Sequence, residues 1–134
     1  MPWKCFAIKA IRMTDWESTP HGGQCRRMMY TLPDGREVGF DELPPGAMWH
    51  SDQQPRESYL AGANSIQIKL PGPTIWSMNQ PGTNGCKWDV SGEIPNVTAS
   101  PSINFVGLYH GWVQNGVVSD DVEGRKFDEM GRRA

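Results

Sequence analysis

The sequence predicts a small, mainly β domain: an antiparallel sandwich or partly open barrel with irregular loops and a C-terminal extension. Three observations carry that expectation. Glycine (15) and proline (11) recur along all 134 residues, so long helices have nowhere to form. Pro33-Asp34-Gly35 and Asn115-Gly116 offer hairpin turn chemistry between apolar residues. Several short segments alternate apolar and polar side chains with the period of a half-buried strand. A mass of 15.0 kDa fits one domain. It divides into residues 1–118, a single β domain, and 119–134, a charged C-terminal tail or arm.

In chain order, residues 3–13 carry Phe6, Ile8 and Ile11 and read as a strand, and polar residues 14–23 as a loop. Residues 24–32 and 36–40 form the two arms of the Pro-Asp-Gly hairpin. Residues 41–63 are irregular, with a short helix expected around 56–61. Residues 65–70 place Ile66, Ile68 and Leu70 on one face of a strand, Pro71-Gly72-Pro73 ends it, and 74–78 form another. After turn chemistry at 79–85, strand pieces are expected at 87–90 and 96–98, then around Ile103 and Phe105. Asn115-Gly116 suits a type I′ turn between Val113 and Val117. Residues 120–134 are charged and read as a frayed tail, or as an arm that orders on a partner.

Composition narrows the function. Thirteen basic against fifteen acidic residues leave a formal net charge of -2, without the basic surplus of a nucleic-acid binder. No apolar run is long enough to span a bilayer as a helix, and no secretory signal is expected at the N-terminus. Six Trp and seven Met supply large side chains in a chain poor in Leu, Ile, Val and Phe, so most tryptophans must serve the core. Trp16 and Trp49, both placed in loops, are the two expected at the surface, where they could contact a partner or stack on a sugar.

Two chemistries are available to the polar residues. Cys5, His21, Cys25 and Cys86 are zinc-ligand types, and His21-x-x-x-Cys25 can place two ligands on one ion, but no Cys-x-x-Cys knuckle is present. Cys86 with His110, oriented by Asp89, could form a thiolate–imidazole pair. Ser100-Pro101-Ser102 offers hydroxyls and reads most simply as a rigid bend. Asp41-Glu42 and Asp120-Asp121 are neighbours in sequence that a strand would point to opposite faces, and they read as solvated charge.

Several phrases carry a resemblance: Leu43-Pro-Pro-Gly-Ala-Met-Trp49, Ile68-Lys-Leu-Pro-Gly72 with Trp76, residues 86–98, Ser102-Ile103, and Tyr109-His-Gly-Trp-Val-Gln-Asn-Gly116. Over about residues 43–118 the chain resembles a family of small phage and prophage proteins of unassigned role, often labelled "ammonia monooxygenase". A copper monooxygenase needs membrane spans and a histidine-rich site, neither of which this sequence offers, so the label is not carried over. Residues 92–116 also resemble a wider bacterial domain family of unknown function, through Pro101-Ser102-Ile103 followed by a His-Gly-aromatic hairpin. Members of the phage family tend toward a cysteine-richer N-terminal part that suggests a metal knuckle; here it holds Cys5 and Cys25 alone.

The resemblance implies a phage setting. The expectation is a non-enzymatic virion structural protein that decorates or cements the capsid as a homo-oligomer. It would be made in the host cytoplasm, bind viral capsid or other virion proteins, and need no cofactor, nucleic acid or membrane. Trp16, Trp49, Val122, Phe127 and Met130 are the expected partner contacts. The alternative is a small zinc-binding accessory module, with or without enzymatic activity, using Cys5, His21, Cys25, Cys86 or His110.

Overall fold

Residues 3–13 do not form one strand. In the computed structural model, which describes residues 2–58, 64–78 and 87–134, they are shared among three sheets as β1 (Trp3–Lys4), β2 (Phe6–Ala7) and β3 (Ala10–Met13). Backbone groups change partner at each step: Cys5 N–H donates to Gly116 O, Ile8 N–H to Met48 O and Lys9 N–H to Thr31 O.

The remaining strands are β4 (Glu17–Ser18), β5 (Gln24–Cys25), β6 (Met28–Thr31), β7 (Glu37–Gly39), β8 (Ala47–His50), β9 (Ile66–Leu70) and β10 (Thr74–Ser77). They are followed by β11 (Asp89–Ser91), β12 (Thr98–Phe105), β13 (Tyr109–Gln114) and β14 (Val117–Val118). A five-stranded sheet runs β1-β14-β13-β12-β11 and a four-stranded sheet β10-β9-β8-β2. A three-stranded sheet runs β3-β6-β7, and β4 pairs with β5. The β2–β8 pair is parallel and the other strand pairs are antiparallel. The fold is mainly β, a small sandwich whose sheets do not close into a barrel.

The four-stranded sheet is the middle layer. Met48, Ile68, Leu70, Trp76 and Met78 join Trp3, Ala99, Ile103, Tyr109, Val113 and Val118 of the five-stranded sheet in one core. Ala47 and Trp49, with Ile75, face the other way and join Tyr30 and Val38 of the three-stranded sheet in a second core. Successive side chains of a strand alternate faces, so β8 feeds both cores. The same layering explains β9. Ile66, Ile68 and Leu70 share a face as expected, but Gln67 and Lys69 between them are buried too, because that face is also covered.

Local chemistry sets the turns. Asp34 Oδ1 accepts the Arg36 N–H across the Pro-Asp-Gly turn, whose Gly35 has φ 92°. Asn115 (φ 47°) and Gly116 (φ 73°) make the turn between β13 and β14. Of the piece expected at 96–98 only Thr98 is strand; it begins β12, which runs on through Ile103 with a register shift between Ala99 and Ile103. Pro101 lies in that shift and has no N–H for the ladder. The helix expected at 56–61 lies partly outside the described residues; a 3-10 turn forms earlier, at Ser51–Gln53.

Three expectations are corrected. Trp49 is not a loop residue at the surface. It is 1% exposed in β8, packs on Tyr30 at 5.2 Å and donates its Nε1–H to Gln54. Residues 119–134 are neither frayed nor an extended arm, because they clasp their own domain. Phe127 packs edge-on to Trp3 and Tyr109, Trp3 Nε1–H donates to Glu129 O, and Gly72 N–H to Gly131 O. Asp121, expected as solvated charge, is buried and paired with Arg125.

Candidate functional site

The outer face of the five-stranded sheet carries the most organised polar chemistry of the molecule. Register fixes it: Ile103 pairs with Gly111, Asn104 with His110 and Phe105 with Tyr109. Ile103, Gly111 and Tyr109 point inward, so Ser102, Asn104, His110 and Trp112 face out. Ser102 and His110 are diagonal neighbours, within side-chain reach across an antiparallel pair.

Their contacts form a chain. Ser102 Oγ lies 3.1 Å from His110 Nε2, and His110 Nδ1 lies 3.0 Å from Glu123 Oε2. With the Nδ1 proton donated to Glu123, Nε2 is free to accept the serine proton. The Glu123 carboxylate is held in turn, its Oε1 accepting from Arg125 at 3.2 Å. Arg125 is fixed by Asp121 at 2.8 Å, and Asp121 also accepts the backbone N–H of His110. Burial raises the Asp121 carboxyl, but hydrogen bonds from Arg125 and His110 outweigh it and hold the group below its ordinary range. Trp112 stacks beside the imidazole at 6.4 Å on the same outer face.

At the other side of the sandwich the β3–β6 hairpin continues into the β4–β5 pair, making a projecting flap. Thr14 binds it at the root, its N–H donating to Arg27 O while its hydroxyl accepts from Arg27 N–H. At the surface of the flap Trp16 is 66% exposed, with the Arg26 guanidinium 5.7 Å above its ring. A third feature is a concavity of about 370 Å³ lined by Lys69, Arg132, Arg133, Phe40 and Met130. Among the described residues no carboxylate comes within ion-pair distance of these three cations.

The sequence-predicted residues scatter across these features. Trp16 is on the flap and Val122 is exposed beside the β13 edge. Met130 lines the cationic concavity, Phe127 packs within the protein, and Trp49 is core. Cys5 is buried between β1 and β2, where desolvation pushes its thiol up to about 12. His21 and Cys25 lie on the flap, and Cys86 falls outside the described residues. Among the described residues no three His, Cys, Asp or Glu side chains gather to hold a metal. His110 contacts Ser102, which read as a bend, and Glu123, which read as tail; its expected pairing with Cys86 lies outside the described residues. A comparison with protein-family models, with curated proteins and with solved structures finds no match.

Proposed function

We propose that the protein is a structural component of a bacteriophage particle, which decorates or cements the capsid by binding a neighbouring virion protein. The observation that carries this reading is the Trp16–Arg26 pair on the projecting flap, an exposed aromatic with the guanidinium of a half-buried arginine over its ring. Trp and Arg are the residue types that dominate interface energetics, and burying both against a partner would remove a large apolar surface from water. The resemblance of several sequence phrases to small phage proteins suggests the setting. A symmetric homo-oligomer presenting one flap per copy would bind a repetitive lattice with avidity.

Purified particles of a phage encoding the chain, examined by quantitative mass spectrometry, should contain it in many copies. The Trp16→Ala/Arg26→Ala variant should keep its thermal midpoint and lose about 30-fold or more in binding to particles that lack the protein, as truncation of a hot spot worth about 2 kcal/mol requires. Absence from purified particles overturns the reading.

A further inference from the structure

We propose that the outer face of the five-stranded sheet is a serine acyl-transfer site, with Ser102 as nucleophile, His110 as general base and a short-chain acyl ester as substrate. The inference is independent of the particle reading and uses a surface on the opposite layer from the flap.

The argument rests on which atoms meet. A serine hydroxyl is a weak nucleophile until a base removes its proton, and the base must present a lone pair to it. Nε2 of His110 is the ring nitrogen against Ser102, and Nδ1 is the one against Glu123. That polarity matches the hydrolytic triad, in which the carboxylate fixes the tautomer and stabilises the imidazolium as it forms. Side-chain contacts on a solvated sheet usually involve one or two groups. Here the buried Asp121 orients Arg125, Arg125 orients Glu123, and Glu123 orients His110. Such a supporting shell holds a reactive geometry in place.

The reaction follows from these groups. Ser102 Oγ bonds to the acyl carbon while its proton passes to His110 Nε2. The tetrahedral adduct collapses, the ester C–O bond breaks, and the alcohol leaves with the proton from His110. Water then attacks the acyl-serine, giving up a proton to His110, and the carboxylic acid departs as Ser102 regains its hydrogen. Asn104 sits across from His110 on the same face, and its exposed side-chain amide makes no hydrogen bond with a described residue, so it is available to donate to the developing oxyanion.

The surroundings select the substrate class. Two concavities lie elsewhere, one lined by Tyr30, Val38 and Phe40 and the other by Lys69 and Arg132. The outer face of a sheet gives a long acyl chain little to enter. It suits an acetyl-sized group on a bulky alcohol that rests outside the site, against Trp112.

The full chain should hydrolyse p-nitrophenyl acetate, and p-nitrophenyl octanoate at least 10-fold more slowly. A fluorophosphonate probe should add to Ser102, located by peptide mass spectrometry. Ser102→Ala and His110→Gln should each reduce hydrolysis to the buffer rate, and the double variant should be no slower than either single one, because the pair acts as a unit. Glu123 is a positioning residue: Glu123→Gln should lower kcat about 10–100-fold with KM unchanged, and Glu123→Asp should recover part of it. Ser102→Ala keeps the carbonyl that accepts from Trp88, and a thermal midpoint equal to that of the wild type establishes its fold. Wild-type hydrolysis no faster than that of folded Ser102→Ala, or a probe adduct on any residue other than Ser102, overturns the proposal.

Discussion

Lys69 shows what layering does to a single residue. Its side chain lies on the middle sheet's second covered face, with Nζ donating to Leu70 O and Gly72 O and lying 5.7 Å from the centre of the Phe40 ring. Burial, with a smaller contribution from Arg132 nearby, lowers its pKa from 10.5 to about 8. The folded protein therefore releases this proton near pH 8 while the unfolded chain holds it to about pH 10.5. Where the unfolded state binds more protons, stability rises with pH. Unfolding by urea should show stability increasing between pH 8 and 9, with a slope of at most about 1.4 kcal/mol per pH unit. Lys69→Met should flatten that rise. Above pH 9 the buried Cys5 thiol, raised from 9.0 to about 12, acts with the opposite sign, since the folded protein keeps a proton that the unfolded chain loses. The burial of Lys69 was not legible beforehand. A lysine in an alternating strand reads as the solvent face, and here Phe40, Gly72 and Arg132 stand against it.

Hairpins were the elements most open to reading, because their turns are written locally. Asn-Gly and Pro-Asp-Gly name positions where φ must turn positive, and the structure has Asn115, Gly116 and Gly35 there. The two glycines are not equivalent. A Cβ at Gly116 would stand 2.7 Å from Pro95 O, whereas one at Gly35 would meet nothing within 4 Å. Gly35→Ala should cost about 1 kcal/mol, the strain of a left-handed backbone alone. Gly116→Ala should cost about 2–3 kcal/mol, since the clash is with backbone that cannot swing away. Parallel thermal melts of the two variants would separate these terms. The hairpin register also contained the Ser102–His110 contact: a tight turn at Val106-Gly107 pairs Asn104 with His110 and brings Ser102 diagonally to the imidazole. Glu123 was hidden because it arrives from a segment with no strand pattern, placed by Asp121 and Arg125. The division of residues 3–13 was hidden for the opposite reason: no glycine or proline marks the points at Cys5 and Ile8–Lys9 where the chain changes sheets.

At the scale of the whole molecule, the projecting element is internal and the terminus is structural. Charge and position make residues 119–134 look dispensable, yet two aromatic contacts and a set of hydrogen bonds tie them down. Phe127 closes the open end of the first core between Trp3 and Tyr109, with Arg133 lying 5.7 Å over its other side. Tyr109 Oη donates to Ser119 O, Val122 N–H to His110 O, and Gly72 N–H to Gly131 O, so the segment stitches the five-stranded sheet to the β9–β10 turn. A chain ending at Ser119 would leave Trp3 and Tyr109 facing water and would strip the carboxylate from His110. Phe127→Ala should cost about 2 kcal/mol, less than the 3–5 kcal/mol of a fully buried phenylalanine because the ring is half-exposed. That should lower the thermal midpoint by about 8 °C at this chain size. Truncation at Ser119 removes the same ring together with its backbone bonds and should lower the midpoint further, with tryptophan fluorescence shifting red as Trp3 is uncovered. A truncated chain that melts with the wild-type midpoint would mean that the clasp adds nothing to the fold, and that residues 119–134 belong to a partner after all.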